Sequence, residues 1–200
     1  MEKPQVIFIH GGNSFDTTEE FYEDLRSREF DLYEPPRVRW RDTLAKNITA
    51  THDYHFIQMP NAMNAEYQAW SIWFEKVIPF LRNNVILIGH SLGGSFLLRY
   101  LSSHVLPVNV AQLHLVAPGV DELDCPGMGS FSTNLDNWKG FESNIANIYL
   151  WHSFDDELVP IHHSERLMVK IPDAHFTKFT DRGHFIQESF PELEAVIVAT

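Results

Sequence analysis

The stretch Val85–Ser95, "VILIGHSLGGS", runs an apolar block directly into a serine held between glycines. It fits the pattern G-x-S-x-G, with Gly89, Ser91 and Gly93 at alternate positions. A strand that turns sharply into a helix strains the backbone of such a serine, and glycines on either side leave room for the turn. The helix-like run "SFLLRYLSS" that follows supplies the context that this motif requires. Ser91 is therefore a candidate nucleophile, and a plain strand–turn–helix junction with a capping serine is the alternative.

The composition favours a single globular domain over residues 1–200. Hydrophobic residues make up 44% of the chain and aromatic residues 13%, which is enough to form a sizeable core. The formal net charge is -12. Nucleic acids and anionic membrane surfaces are therefore unfavourable partners, because no basic surplus is available to neutralise phosphates.

Cysteine content and the absence of targeting signals point to a reducing compartment. Cys125 is the only cysteine, so no intrachain disulfide can form. The N-terminal "MEKPQVIFIH" lacks the features of a secretory signal. The apolar region "AWSIWFEKVIPFL" is interrupted by charge and proline and is too short to span a bilayer. We expect a soluble, cytoplasmic protein with no membrane partner.

Short apolar runs alternate along the chain with longer helix-like segments. The strand-like runs are 5–10, 55–59, 85–89, 113–117, 147–153 and 175–179. The helix-like segments are 17–31, 64–82, 91–104, 162–170 and 190–199. Four of the runs are almost continuously apolar, as is typical of parallel strands covered by helices on both faces. The alternation predicts an α/β fold with a doubly wound, mostly parallel sheet.

Chemically reactive residue types follow the predicted strands. The segment "HGGNS" follows the first run, "GHSLGG" the third, "HSFDD" the fifth and "DRGHF" the last. In a doubly wound sheet, ligands bind outside the carboxyl ends of the strands. We therefore expect these four segments to converge on one site.

A serine nucleophile needs a base, and the base needs a third group that fixes its orientation. In the chain order that accompanies this motif, the acid follows the serine and the histidine comes last. His184, in "TDRGHF", has the position of the base. Asp155 and Asp156 compete for the acid role, and the spacing D-x-x-V-P favours Asp156, which leaves Asp155 as a turn or capping residue. His90 is expected to pack or hydrogen-bond locally.

The oxyanion that forms during acyl transfer needs two N–H donors. The backbone N–H of Leu92, the residue after the candidate nucleophile, is the first. The segment "IHGGNS" supplies the second, with Gly12 preferred and Asn13 next. Gly11 and Gly12 allow the backbone to approach a substrate without an intervening Cβ. A simple Gly-Gly turn is the alternative interpretation of this segment.

Taken together, "HGG", "GHSLGG", "SFDDELVP" and "RGHF" resemble the α/β-hydrolase superfamily. The tryptophan-bearing segment "MPNAMNAEYQAWSIWFEKV", the S-x-D-D-x-x-V-P pattern and the late G-H-F resemble the small serine hydrolases of the retinoblastoma-binding protein 9 and YdeN type. The resemblance covers residues 5–198 and implies a three-layer α/β-hydrolase fold with little or no lid. It also implies hydrolase activity without a dissociable cofactor. The segment "KNITATHDYHFIQMP" departs from the family in being longer and more polar.

These observations predict a serine hydrolase for a small carboxylic ester, or for a thioester or amide, with Ser91, Asp156 and His184 as its catalytic residues. The partner would be a small ester-like molecule. A binding or scaffold protein that keeps the fold without the activity is the alternative. No metal site is expected, because adjacent residues such as His162 and His163 point in different directions on a helix.

The segment 118–138, "PGVDELDCPGMGSFSTNLDNW", follows the fourth strand-like run and is rich in Gly, Pro and Asp. Loops of this length are often functional. Phe131 and Trp138 are candidates to line a substrate pocket together with Asn13. A surface loop whose aromatic side chains face the core is the alternative.

Three arginines, Arg37, Arg39 and Arg41, alternate along "DLYEPPRVRWRDTLAKN" in an otherwise acidic chain. Spaced by two, they would share one face of an extended segment and could bind an anionic group. The sequence favours the alternative of a solvated edge.

Overall fold

The computed structural model describes residues 2–125, 127–136, 138, 141 and 144–199. The strands within these residues are β1 (Gln5–Ile9), β2 (Asp53–Ile57), β3 (Val85–His90), β4 (Val110–Val116), β5 (Ile148–Ser153) and β6 (His175–Phe179). They form a six-stranded sheet in the order β2-β1-β3-β4-β5-β6, and every neighbouring pair is parallel. Each predicted run overlaps one strand, and β2 begins at Asp53 rather than at residue 55.

The helices in the described part of the chain are α1 (Thr18–Ser27), α2 (Trp40–Ile48), α3 (Tyr67–Glu75), α4 (Leu92–Leu101), α5 (His162–Lys170) and α6 (Pro191–Val198). Five of them lie in the predicted helical segments. Helix α3 is shorter than predicted, because the chain passes into a 3₁₀ turn at Ile78–Phe80 that contains Pro79. No helix among the described residues combines the length and apolarity needed to cross a membrane.

Helix α2 lies in a segment whose sequence was interpreted as extended. Trp40, Leu44 and Ile48 are its buried residues, and their spacing of four places them on one helical face. The carboxylate of Asp42 accepts a hydrogen bond from the Arg39 N–H at 3.0 Å, which closes the start of the helix. The polar segment that departs from the family pattern therefore contains the end of α2 and the whole of β2.

Helices cover both faces of the sheet. One apolar cluster joins α3, α4 and α5 to sheet residues such as Leu87. The other joins α2 and α6 to the opposite face of the sheet, at residues such as Phe8. Neighbouring residues of a strand point to opposite faces, so each central strand contributes to both clusters. The predicted doubly wound α/β fold with three layers is confirmed.

The sheet order places the ends of β1 and β3 side by side. Strand β1 pairs with β2 on one side and with β3 on the other, with Phe8 opposite Ile88 and Ile9 opposite Gly89. The chain thus passes from β1 to β2 on one side and then crosses to β3 on the other side of β1. This reversal of direction creates the switch point at which doubly wound sheets bind ligands. The segment after β1 and Ser91 after β3 meet there.

Candidate active site

Ser91 occupies a strained turn between β3 and α4. Its φ of 54° and ψ of -124° lie in a region that residues with a side chain rarely adopt. Its N–H donates to the Val116 carbonyl at 2.8 Å, and its carbonyl accepts from the Gly94 N–H at 2.8 Å, so both sides of the turn are fixed. In the described part of the chain its side chain makes no capping hydrogen bond to α4. This geometry fits a presented nucleophile and contradicts the capping alternative.

The glycines of the motif allow three backbone segments to meet. A Cβ on Gly89 would lie 2.5 Å from the Gly93 carbonyl oxygen. A Cβ on Gly93 would lie 2.3 Å from the Ile9 carbonyl oxygen and 2.6 Å from that of His10. The spacing of G-x-S-x-G therefore reflects the close approach of β1, β3 and α4 around the turn.

We expect Gly93→Ala to lower the free energy of unfolding by about 3 kcal/mol or more, because its Cβ would collide with backbone oxygens that cannot move independently. Gly94→Ala is the matched control, since its Cβ would lie 3.1 Å from the Gly89 oxygen and from the Pro118 Cβ. There the gain in helix propensity of about 1 kcal/mol offsets a tight contact. Urea denaturation of both variants measures the free energy of unfolding. An equal decrease in Gly93→Ala and Gly94→Ala would contradict this prediction.

His184 and Asp156 form a hydrogen-bonded pair. The His184 Nδ1 lies 2.8 Å from Asp156 Oδ2 and 3.1 Å from Oδ1. The side chain of Asp156 is fully buried, whereas that of His184 is 12% exposed. With a carboxylate on Nδ1, the neutral ring carries its proton there and leaves the Nε2 lone pair free to act as a base.

Asp156 is stabilised as a carboxylate. Burial raises its pKa, but the hydrogen bond and the charge of His184 act in the opposite direction. The N–H groups of Leu158 and Val159 also donate to its Oδ1, each at 2.9 Å. The net effect lowers the pKa of Asp156, so this side chain is ionised near neutral pH.

Asp155 has a different place from Asp156. Its exposed carboxylate accepts a hydrogen bond from the Gly183 N–H at 3.0 Å and another from the Ser153 hydroxyl. Asp155 therefore ties the end of β5 to the turn that carries His184, and the structure brings Asp156 to the imidazole as the D-x-x-V-P spacing predicts.

The candidate oxyanion donors are Gly12 and Leu92. Leu92 is the first residue of α4, so its N–H has no acceptor within the helix. The Gly12 N–H makes no hydrogen bond among the described residues. The Asn13 N–H, in contrast, donates to the Ala62 carbonyl at 2.9 Å. This difference favours Gly12 over Asn13 as the second donor.

His10 fixes the peptide group that carries the Gly12 N–H. Its Nδ1 lies 2.6 Å from the Gly11 carbonyl oxygen, and its Nε2 accepts from the Met59 N–H at 2.9 Å. Burial lowers the pKa of His10, which favours the neutral ring with its proton on Nδ1. Because a trans peptide directs its C=O and N–H in opposite directions, holding the Gly11 carbonyl also directs the Gly12 N–H.

Ser91 and His184 open into one cavity with a volume of about 520 Å³. Gly12, Asn13 and Leu92 also line this cavity. Among the described residues no hydrogen bond joins the Ser91 hydroxyl to the His184 ring, a contact that often lengthens in unliganded sites. The four segments that were expected to converge do meet here.

Two further histidines support the site, and sequence reasoning did not assign them this role. His90 Nε2 lies 2.9 Å from the His184 carbonyl oxygen, so its contact spans 94 positions of the chain and is not local as predicted. His152 Nε2 lies 2.7 Å from the carbonyl oxygen of Val159, in the loop that binds Asp156. A polar residue inside the apolar run "NIYLWHS" is the only sequence signal for His152.

The prediction that Phe131 and Trp138 line the substrate pocket is wrong for this cavity. Phe131 is fully buried, with its ring centroid 5.0 Å from that of Trp70. Trp138 packs edge-on against Phe141 in the described part of the chain. Neither residue lines the cavity at Ser91. The loop still contributes to the cavity wall through Gly119, Asp124, Cys125, Gly127 and Met128.

The favoured interpretation of the arginine segment as a solvated edge also needs correction. Only Arg37 fits it, with a side chain that is 64% exposed. Arg39 and Arg41 line the Ser91 cavity, because α2 begins at Trp40 and turns the chain toward the site.

Cys125, within the loop 118–138, and His163, which contacts that loop, are both buried. Burial raises the pKa of the Cys125 thiol to about 12, which disfavours the thiolate. His163 binds the loop 118–138 through its Nδ1, which accepts from the Val120 N–H at 3.2 Å. No group of three His, Cys, Asp or Glu side chains placed to hold a metal ion occurs within the described residues.

Comparison with known proteins also indicates a serine hydrolase with this fold. A family model described as serine hydrolase matches residues 33–198. The serine hydrolase RBBP9 of Rattus norvegicus is 30% identical over 142 residues, which cover 70% of this chain and 73% of that protein. The putative hydrolase YdeN of Bacillus subtilis (strain 168) is 30% identical over 199 residues, which cover 96% of this chain and 92% of YdeN. The crystal structure of the ydeN gene product has a TM-score of 0.74 at 22% identity and covers 98% of both chains. These matches confirm the predicted resemblance: the chain has the α/β-hydrolase fold and belongs to the serine hydrolase family.

Proposed function

We propose that this serine hydrolase cleaves small carboxylic esters, with Ser91 as nucleophile, His184 as general base and Asp156 as its orienting acid. The supporting observation is the 2.8 Å contact between His184 and Asp156 at the cavity into which the strained Ser91 opens. Nucleophile, base and acid follow β3, β6 and β5 in the manner that this chemistry requires.

The proposed reaction has two steps. His184 Nε2 takes the hydroxyl proton as Ser91 Oγ attacks the ester carbonyl, and the N–H groups of Gly12 and Leu92 stabilise the resulting oxyanion. The intermediate collapses to an acyl-enzyme as His184 returns the proton to the leaving alcohol. Water then attacks the acyl group with His184 again as base, which releases the carboxylic acid and restores Ser91. Asp156 stabilises the imidazolium in both steps.

The size of the cavity supports a small-molecule substrate. A volume of about 520 Å³ lies within the usual range for small-ligand sites. Its wall includes apolar side chains such as Phe8, Met128 and Phe185. The same geometry accommodates thioesters and amides. Carboxylic esters are proposed ahead of amides because an alcohol leaves more readily than an amine.

We also infer a cytoplasmic location from the state of the single cysteine. Cys125 is buried, and its raised pKa of about 12 keeps it as a thiol. A protein with no disulfide to maintain suits a reducing compartment.

Labelling with a fluorophosphonate probe tests the assignment of the nucleophile. We expect the wild type to form one adduct, located by mass spectrometry on Ser91, and Ser91→Ala to form none, because only an activated hydroxyl displaces fluoride from the probe. Ser103→Ala, at an exposed serine just after α4, should label like the wild type. A folded wild-type protein that takes no label would overturn the proposal and favour a binding protein that retains the fold.

A further inference from the structure

Two arginine residues line the catalytic cavity of a strongly acidic chain. The whole sequence has 15 Lys and Arg against 27 Asp and Glu, yet Arg39 and Arg41 both line the cavity at Ser91. Arg39 directly precedes α2, and Arg41 lies in its first turn. The pairing of Phe8 with the β2 residue Phe56, together with the packing of Trp40 on Phe8, fixes this helix start beside the site.

Arg41 is held in place by an aromatic ring and keeps most of its hydrogen-bonding capacity. Its guanidinium carbon lies 4.7 Å from the centroid of the Phe56 ring. Among the described residues its ion-pair partner is Asp42, 3.6 Å from Arg41 Nε, and no hydrogen bond engages the two terminal nitrogens of the fork. The positive charge of Arg41 acts on residues of the site. Burial is the main cause that lowers the pKa of His10 and of His90, and the charge of Arg41 lowers both further.

Arg39 has no carboxylate partner within ion-pair distance in the described part of the chain. Its Nη1 donates to the Ile186 carbonyl at 3.2 Å, two residues beyond His184. The guanidinium is thereby tied to the loop that carries the base. Its Nη2 and Nε make no hydrogen bond within the part of the chain that the structure describes, so both can donate to a ligand.

The local charge balance suits a monoanion. Arg39 and Arg41 together carry a charge of +2, which Asp42, 3.6 Å from Arg41 Nε, reduces to +1. The carboxylates that line the cavity, Glu157 and Asp124, come from the β5–α5 loop and the 118–138 loop and repel a dianion more strongly than a monoanion. A single carboxylate neutralises the remaining charge of +1, whereas a dianionic phosphate would exceed it.

We propose that Arg39 and Arg41 form a carboxylate-binding subsite, so that the preferred substrates are esters carrying a second, free carboxylate group. This inference rests on the proposed esterase function of Ser91. Arginine binds carboxylates through paired N–H donors in a planar fork, which gives both orientation and charge neutralisation. The subsite would hold the remote carboxylate while the ester carbonyl lies between Ser91 and the oxyanion donors.

Two para-nitrophenyl esters of equal acyl length provide the test: the hemiglutarate, which ends in a carboxylate, and the pentanoate, which ends in a methyl group. We expect the wild type to show at least about tenfold higher kcat/KM for the hemiglutarate, the size of one charge-assisted hydrogen bond. Arg39→Gln and Arg41→Gln should each remove most of that preference, measured as the ratio of kcat/KM for the hemiglutarate to kcat/KM for the pentanoate, because each removes N–H donors to the remote carboxylate. Arg37→Gln is the matched control, since Arg37 is exposed, pairs with Glu34 and does not line the cavity.

Protection against the fluorophosphonate probe gives a second readout that needs no turnover. Glutaramate, which has one carboxylate and one neutral amide end, should slow the labelling of Ser91 in the wild type and in Arg37→Gln, but not in Arg41→Gln. Pentanamide, which has no carboxylate, should have little effect. Inorganic phosphate as a competitor tests the charge argument, and stronger protection by phosphate than by glutaramate would overturn the carboxylate assignment.

The two proposals fail in different ways. A labelled protein that hydrolyses both esters equally well, or that gains no protection from glutaramate, overturns the carboxylate subsite and leaves the esterase proposal standing. An equal decrease in kcat/KM for both esters in the Arg39 and Arg41 variants also overturns the carboxylate subsite, because it indicates that the arginines have only a structural role. A folded wild type that takes no label overturns the esterase proposal itself and with it the subsite.

Discussion

We expect His184→Asn to lower kcat/KM for para-nitrophenyl esters by about three to four orders of magnitude, with the protein still folded. The substitution removes the group that we propose takes the proton from Ser91, and a neutral serine hydroxyl is a poor nucleophile. The asparagine amide can still donate to Asp156, so the buried carboxylate keeps a partner. Steady-state kinetics, together with thermal unfolding of both proteins, measure the effect.

His55→Asn is the matched control, because His55 lies on β2 with a side chain that is 45% exposed and does not line the cavity. It should retain the activity of the wild type. The double variant Ser91→Ala, His184→Asn should be no slower than the slower single variant, since the two residues act as one unit. Turnover within tenfold of the wild type in a folded His184→Asn protein would exclude the proposed mechanism.

Much of the fold is predictable because its signals are local. Strands β1 and β3 are continuous apolar runs ending in glycine-bearing turns, which is what a strand covered on both faces requires. The reactive segments follow those strands, so the topology of a doubly wound sheet brings them together without further information. The choice of Asp156 over Asp155 also came from local spacing, and the structure places Asp156 on His184.

The start of α2 was missed because its surroundings hide it. Pro35, Pro36 and alternating arginines indicate an extended chain, although Trp40, Leu44 and Ile48 carry the spacing of a helix. Only the packing of that apolar face shows that the chain turns toward the site. The sequence therefore predicts a solvated edge for the arginines, whereas Arg39 and Arg41 line the cavity.

Contacts between residues far apart in the sequence explain why the structure also differs from the predictions for Phe131 and His90. An aromatic residue in a loop can face a cavity or the core, and the ring of Phe131 meets α3, where its packing with Trp70 decides the outcome. The hydrogen bond between His90 and the His184 backbone joins residues far apart in sequence. No periodicity or short motif encodes such a contact.

Buried neutral histidines should make the protein markedly less stable as the pH falls from 7.5 to 5. Burial lowers the pKa of His114 to about 3 and that of His152 to about 4, and both side chains are fully buried. In the unfolded chain their pKa returns to the ordinary value near 6.5. Below that pH the unfolded state binds more protons than the folded state, so stability decreases as the pH falls toward the folded-state pKa values.

The expected loss is large relative to the stability of a domain. Each of the two histidines should contribute about 2 kcal/mol of destabilisation at pH 5, and the pair about 4 kcal/mol, against a typical total of about 5–15 kcal/mol. Burial lowers the pKa of His10 and of His163 as well, which acts in the same direction. The lowered pKa of Asp156 has no part in this range, because that carboxylate loses its contribution only below about pH 4.

Urea denaturation at pH 7.5 and pH 5 of the wild type and of His114→Gln isolates one of these contributions. His114 lies 2.7 Å from Gln112 Oε1 and accepts from the Trp151 indole N–H at 3.1 Å, so its loss should cost stability at both pH values. The variant has no imidazole to protonate there, and its stability should therefore fall less on acidification, by about 2 kcal/mol. His104→Gln, at an exposed histidine, should retain the pH dependence of the wild type. An equal loss of stability in His114→Gln and in the wild type would mean that His114 is not held neutral by burial.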